Sequence, residues 1–121
     1  MNQRFRKYQH LLKGVDFRRT YDFRMSVADG VLIVYGAPNG LGYSRIGLSV
    51  SRKVGNAVVR NWWKRRIREA FRLAQAKLPV GLDFVVIPRA RNRTDFRAIS
   101  LSFASLCHGV QRKIKQKRAS Q

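Results

Sequence analysis

Acidic residues are scarce in this chain: 6 Asp and Glu stand against 26 Lys and Arg in 121 residues, a formal charge of +20. Charge of that size works against a compact state unless something neutralises it. A phosphate backbone does so readily, because each neutralised phosphate releases condensed counterions. The six acids stand singly at positions 16, 22, 29, 69, 83 and 95. A protein nuclease needs a carboxylate cluster for metals or an acid–base pair, and this scatter supplies neither. The one cysteine, Cys107, excludes an internal disulfide and fits a reducing compartment, with the cytoplasm as the default. Cys107 beside His108 does not make a zinc site, and His10 lies far off in sequence. No apolar run approaches the ~20 residues of a membrane span, no lone amphipathic helix offers a lipid-ready face, and no apolar core follows the basic first residues as in a secretory signal. Repeats and low-complexity linkers are also missing, so the whole chain, 1–121, reads as one domain. Its ends, 1–10 and 112–121, are the most polar parts and read as loosely held basic segments.

What is present is enough apolar material to fold, 45% of residues. Residues 13–20 read as a short helix or turn, with Asp16 as a possible cap. Residues 26–28 open a strand, and Val31 to Tyr35 form a firmer, β-branched one. Gly36 to Gly40 turns the chain, and the next segment places Ile46, Leu48 and Val50 on one face at the period of a half-buried strand. The strands at 31–35 and 43–50 read as an antiparallel pair. A long helix covers 56–77, capped by Asn56 and ended by Pro79 and Gly81. Leu82 to Ile87 is nearly all apolar, which predicts a strand buried on both faces. From Thr94, which can cap, Phe96, Ile99, Phe103, Leu106, Val110 and Ile114 recur at helical steps. The result is an α+β fold, an α/β sandwich with a mostly antiparallel sheet of about four strands, a short N-terminal helix, a long central helix and a C-terminal helix.

The central helix is the most informative segment. At ~100° per residue, Arg60, Asn61, Lys64, Arg65, Arg68 and Arg72 share an arc of roughly 140°. Val59, Trp63, Ile67, Ala70, Phe71, Ala74 and Leu78 share an opposite arc of roughly 120°. A solvated helix face usually mixes charge signs for i,i+4 pairs; here Glu69 is the only acid. The division therefore predicts a core face and a nucleic-acid face. Trp63 falls in the apolar arc. Trp62, at ~200°, falls outside both arcs; it reads as a flank residue covering the core edge, with stacking on an unpaired base as the alternative. Just before the helix, Arg52 and Lys53 precede Gly55 and Asn56, a joint whose free N–H groups can hold a phosphate.

The run Lys53-Val-Gly-Asn-Ala-Val-Val-Arg60-Asn61-x-x-Lys64-Arg65-x-x-Arg68-Glu69 resembles the signature of the bacterial ribonuclease P protein subunit. Phe17-Arg18 with Tyr21 is similar to that family's early aromatic element, Gly47 to Lys53 to its approach to the motif, and Leu82 to Arg89 with the last helix to its C-terminal half. One departure stands out: the family usually carries a third basic residue after the Arg-Asn pair, and this chain has Trp62. The resemblance implies a subunit of a ribonucleoprotein endonuclease that removes the 5′ leader from precursor transfer RNA. It implies that the RNA subunit does the chemistry with Mg2+, while the protein binds that RNA, contacts the leader in a central cleft, broadens substrate range and improves affinity and metal use. No obligate protein partner and no membrane are implied. It also implies a left-handed βαβ crossover, where the general rule would give a right-handed one.

Within that reading, Arg52, Lys53, Arg60, Asn61, Lys64, Arg65 and Arg68 are assigned to the catalytic RNA, since arginine forks match phosphate oxygens. Phe17, Tyr21 and Tyr35 are assigned to the single-stranded leader, because bases of any sequence stack on aromatic rings. For Phe17, plain core packing serves equally well. A ribosomal or other structural RNA-binding protein is the alternative; a DNA-binding architectural protein would need a dimer or a groove-reading helix.

Overall fold

The computed structural model describes residues 7–11, 13–89 and 94–120. A 3-10 turn (Lys7–Gln9) leads to helix α1 (Gly14–Asp22), strands β1 (Ser26–Ala28), β2 (Leu32–Pro38) and β3 (Arg45–Leu48), helix α2 (Ala57–Ala74), a second 3-10 turn (Gln75–Lys77), strand β4 (Leu82–Pro88) and helix α3 (Phe96–Ala119). The four strands form one mixed sheet in the order β1-β2-β4-β3. β1 and β2 are antiparallel, as are β2 and β4, while β3 and β4 are parallel and joined through α2. This is the connection to which the resemblance gives a left hand.

The strand pair expected from residues 31–35 and 43–50 does not exist, because β4 lies between β2 and β3. The reason is burial. Leu82, Phe84, Val85 and Val86 are almost wholly buried, so β4 needs a neighbour on each edge and a layer on each face. An interior place satisfies all four demands. β3, with only two of its four residues buried, takes the edge, where the Leu11 amide donates to the Ile46 carbonyl at 2.8 Å.

Alternation along the strands sorts the two layers. Leu32, Val34, Phe84 and Val86 join Trp63, Ile67 and Phe71 of α2 and Ile99, Phe103 and Val110 of α3 in one core. The opposite sheet face presents Tyr35, Asp83 and Val85 and is covered in part by α1. Trp63 is fully buried, as its place on the wheel predicts, and the cluster it joins is the main source of stability at ~25 cal/mol per Å2 of apolar surface removed from water.

Three local expectations are corrected. Asp16 does not cap α1; Lys13 occupies that position without a side-chain bond, and Asp16 sits in the first turn, where its charge suits the helix dipole. Asp95, not Thr94, caps α3, accepting from the Ala98 amide at 2.7 Å. The C-terminal segment expected to be loose continues α3 to Ala119, because Ile114 extends its apolar stripe into the core. At the other end, Gln9 is buried and His10 bridges to Ile46, so residues 8–10 pack against the sheet edge, while 1–6 lie outside the described residues. Asn56 does cap α2, accepting from Val59 N at 3.0 Å. A Cβ at Gly55 would sit 2.8 Å from that of Val59, so only glycine lets the chain enter the helix this closely.

Candidate nucleic-acid interface

Five of the six acids are spent on structure, Asp22 being the exposed exception. Asp83, fully buried in β4, accepts from Arg45 at 2.8 and 2.7 Å, from Arg19, and from the Asn39 amide at 2.9 Å. Asp16 adds a longer contact to Arg45 at 3.7 Å. The Asp83 bond, ahead of the opposing effect of burial, holds the Arg45 guanidinium even more firmly charged than usual. Glu69 pairs with Arg72, and this bond outweighs desolvation to hold the Glu69 carboxyl below its ordinary range. Asp29 accepts the Val31 and Leu32 amides and the Ser102 hydroxyl, and Asp95 caps α3. Among the described residues, ion pairs with carboxylates reach Arg19, Arg45 and Arg72 only.

Arg60, Lys64, Arg65 and Arg68 are therefore left with uncompensated charge on one side of α2. Arg65, Arg68 and Asn61 are exposed, Arg60 and Lys64 half-buried. The Nε of Arg60 is buried without an acceptor among the described residues. Arg52 and Lys53 are exposed in the turn before Asn56, beyond the N-terminal end of the stripe. Seven candidate residues thus lie on α2 or its approach, with Arg72 removed from that surface by its own ion pair.

The aromatic candidates lie on the α1 side of the sheet. Tyr21 of α1 meets Tyr35 of β2 edge to face, with ring centroids 4.9 Å apart, and both remain half-buried. Phe17, one helical turn before Tyr21, lies directly on β3: a Cβ at Gly47 would be 2.6 Å from its Cζ. Glycine at 47 is what allows the ring to reach the sheet. Phe17 then lines a cavity of about 220 Å3 together with His10, Leu11, Ile46, Gly47 and Leu48 and with Lys64 and Arg68 of α2. The ring packs on β3 and lines this cavity at the same time. The imidazole of His10 is driven below its ordinary value by burial first and by Arg68 second, which keeps it neutral beside that guanidinium at pH 7. Aromatic and basic candidates, assigned from sequence to separate surfaces, meet across this cavity at the edge strand.

Sequence reasoning overlooked Asp83, Arg19 and Arg45, which tie α1 to β3 and β4 and so place Phe17 and Tyr21. The signal was available: one acid inside an otherwise apolar strand. Trp62 is half-buried against the core edge, as the flank reading requires, and touches Trp63 edge to face at 5.5 Å. Cys107 is buried, and that burial pushes its thiol well above the ordinary value, so it is unreactive. Among the described residues no group of three or more His, Cys, Asp or Glu could hold a metal ion, and no helix is long and apolar enough to cross a membrane.

Comparison with known proteins places this geometry among relatives. The family model described as Ribonuclease P matches residues 5–111. A ribonuclease P protein component of Petrotoga mobilis is 38% identical over 100 residues, covering 83% of this chain and 85% of the relative. One from Clostridioides difficile is 39% identical over 104 residues, covering 84% and 91%. Among solved structures, the RNase P protein of Thermotoga maritima superposes with a TM-score of 0.75 at 35% identity, covering 81% of this chain and 94% of that one. The Staphylococcus aureus RNase P protein gives 0.73 at 37%, covering 81% and 91%.

Proposed function

The chain belongs to the bacterial ribonuclease P protein family, and from that premise we propose that it is the protein subunit of a ribonucleoprotein that removes the 5′ leader from precursor transfer RNA in the cytoplasm. The observation that carries the assignment of surfaces is the cavity where Lys64 and Arg68 of α2 face Phe17 of α1. A bare basic stripe binds the phosphates of the catalytic RNA by counterion release. The aromatic groups beside it hold the single-stranded leader by stacking, which is tolerant of sequence. A leader held this way threads between the RNA subunit and the sheet, so one small protein contacts enzyme RNA and substrate at once.

Bond breaking belongs to the RNA subunit and its Mg2+. The chain's own contribution is charge and position. Arg60, Lys64, Arg65 and Arg68 lower the repulsion between two polyanions, which reduces the magnesium otherwise needed to bring them together. Phe17, Tyr21 and Tyr35 add affinity that depends on the leader and not on the mature transfer RNA, so the protein favours substrate over product and broadens the range of accepted precursors. Reconstitution tests this directly. The protein is added to the catalytic RNA at low magnesium, and cleavage of leader-bearing precursor is followed alongside binding of mature transfer RNA. The expected result is faster leader removal and tighter binding of precursor than of product. No gain in cleavage defeats the proposal.

A further inference from the structure

A second concavity, of about 300 Å3, opens on α2 and is lined by Val58, Asn61, Trp62, Arg65 and Arg66. Its volume lies at the lower end of the range for small-ligand sites. Its lining is unusual for a solvated helix surface. Val58 is 67% exposed, and the indole of Trp62 opens beside it. No carboxylate pairs with Arg65 or Arg66 among the described residues. The indole is held in place: its inner part packs on the core and meets Trp63 edge to face, and the Arg66 guanidinium stands 5.5 Å from its ring centroid. A planar surface is thus fixed before any ligand arrives, with the Asn61 amide and the Arg65 guanidinium beside it.

We propose that this concavity takes one unpaired nucleobase of the RNA bound along α2, which rests on the assignment of that helix to the catalytic RNA. The occupant follows from the chemistry. A nucleobase combines a π-face for the indole and its stacked guanidinium with donor and acceptor edges that the Asn61 amide can meet from either end. Its phosphate supplies the anion that Arg65 lacks within the protein. An apolar peptide would leave the Arg65 guanidinium desolvated and unpaired, and a lipid surface would meet a single small concavity in place of an apolar face.

Stacking and ion pairing respond differently to salt, and the test uses that difference. Trp62→Leu, confirmed folded by circular dichroism, is expected to weaken binding to the catalytic RNA by about tenfold with the salt slope unchanged, since a base stack releases no counterions. Trp62→Phe keeps an aromatic ring and is expected to recover most of the affinity. On the unaltered protein, RNA titration is expected to quench tryptophan emission through Trp62, and the quench is lost in Trp62→Phe because Trp63 is fully buried. Saturating RNA binding without any quench overturns the nucleobase site while leaving the basic stripe in place. Wild-type affinity in folded Trp62→Leu does the same. Absence of binding by the unaltered protein removes the stripe assignment and this site together.

Discussion

On the α1 side of the sheet, Arg19 and Arg45 converge on one buried carboxylate; on α2, Arg60, Arg65 and Arg68 meet none among the described residues. The residue type is the same and the physics is not. Around Asp83 both guanidinium groups are hydrogen-bonded, and that of Arg45 is also partly buried, so its charge is consumed within the fold and is little screened by salt. Along α2 the charge has no carboxylate to spend itself on among the described residues, so it adds no ion-pair stability and remains available for long-range attraction to a polyanion. In a chain with 6 acids, the distribution of those acids decides which basic residues are structural and which remain available. Counting arginines does not separate the two groups; locating the carboxylates does.

The largest effect is expected at the paired side. Asp83→Asn leaves the Arg45 guanidinium, with a side chain only 20% exposed, facing a neutral amide. Breaking a buried pair by removing one partner costs about 3–5 kcal/mol, and the greater exposure of Arg19 places this case near about 3 kcal/mol. Urea unfolding measures it. A loss below about 1 kcal/mol would make the cluster an ordinary surface pair and erase the contrast with α2.

A middle-sized effect is expected where the two regions meet. Gly47→Ala places a Cβ 2.6 Å from Phe17 Cζ and 3.0 Å from Leu11 Cβ. Phe17 must move off β3, at a cost of about 1–3 kcal/mol in stability. The sharper readout is binding: affinity for leader-bearing precursor should fall while affinity for mature transfer RNA holds. Equal losses on both would take Phe17 out of the leader path.

How far this contrast could be read in advance depends on the range of each interaction. The two-faced character of α2, the burial of Trp63, the Asn56 cap and the double-sided burial of β4 all follow from periodicity or from residues a few positions apart. The pairing of β4 with both β2 and β3 does not, nor does the Asp83 cluster, whose partners are 64 and 38 residues away. Alternation states which face of a strand is buried and is silent on its neighbour. Charge counts likewise marked residues 112–121 as a loose tail, although Lys113 reaches the Ser26 carbonyl at 2.9 Å and Lys117 stands over the Phe23 ring at 4.9 Å. For the candidate interface, the basic helical face was legible, and its meeting with Phe17 at one cavity was not, because that meeting depends on the strand order.

Arg65→Ala tests the unpaired side. Because Arg65 is exposed and has no carboxylate partner among the described residues, stability should change by no more than about 0.5 kcal/mol. Binding to the catalytic RNA should weaken, and the slope of log affinity against log salt should fall by about one. An unchanged slope would place Arg65 off the phosphate path.

A smaller stability effect than at Asp83 is expected at Asp29, a carboxylate hydrogen-bonded by neutral donors. Burial alone would raise its pKa, but the Ser102 hydroxyl, the Leu32 and Val31 amides and the Arg89 charge together bring it below the ordinary 3.8. A depressed folded-state value means that its contribution is fully present above the unfolded pKa and is lost as pH falls through the folded one. Ser102→Ala removes one donor at 2.6 Å and should cost about 1 kcal/mol near pH 7. It also returns the Asp29 pKa toward its ordinary value, so the variant has less to lose on acidification. The two stability curves should therefore converge below about pH 4. Parallel curves would mean that Ser102 holds α3 to the β1–β2 turn without favouring the charged form of Asp29, and that the acids of this chain act by geometry alone at that point.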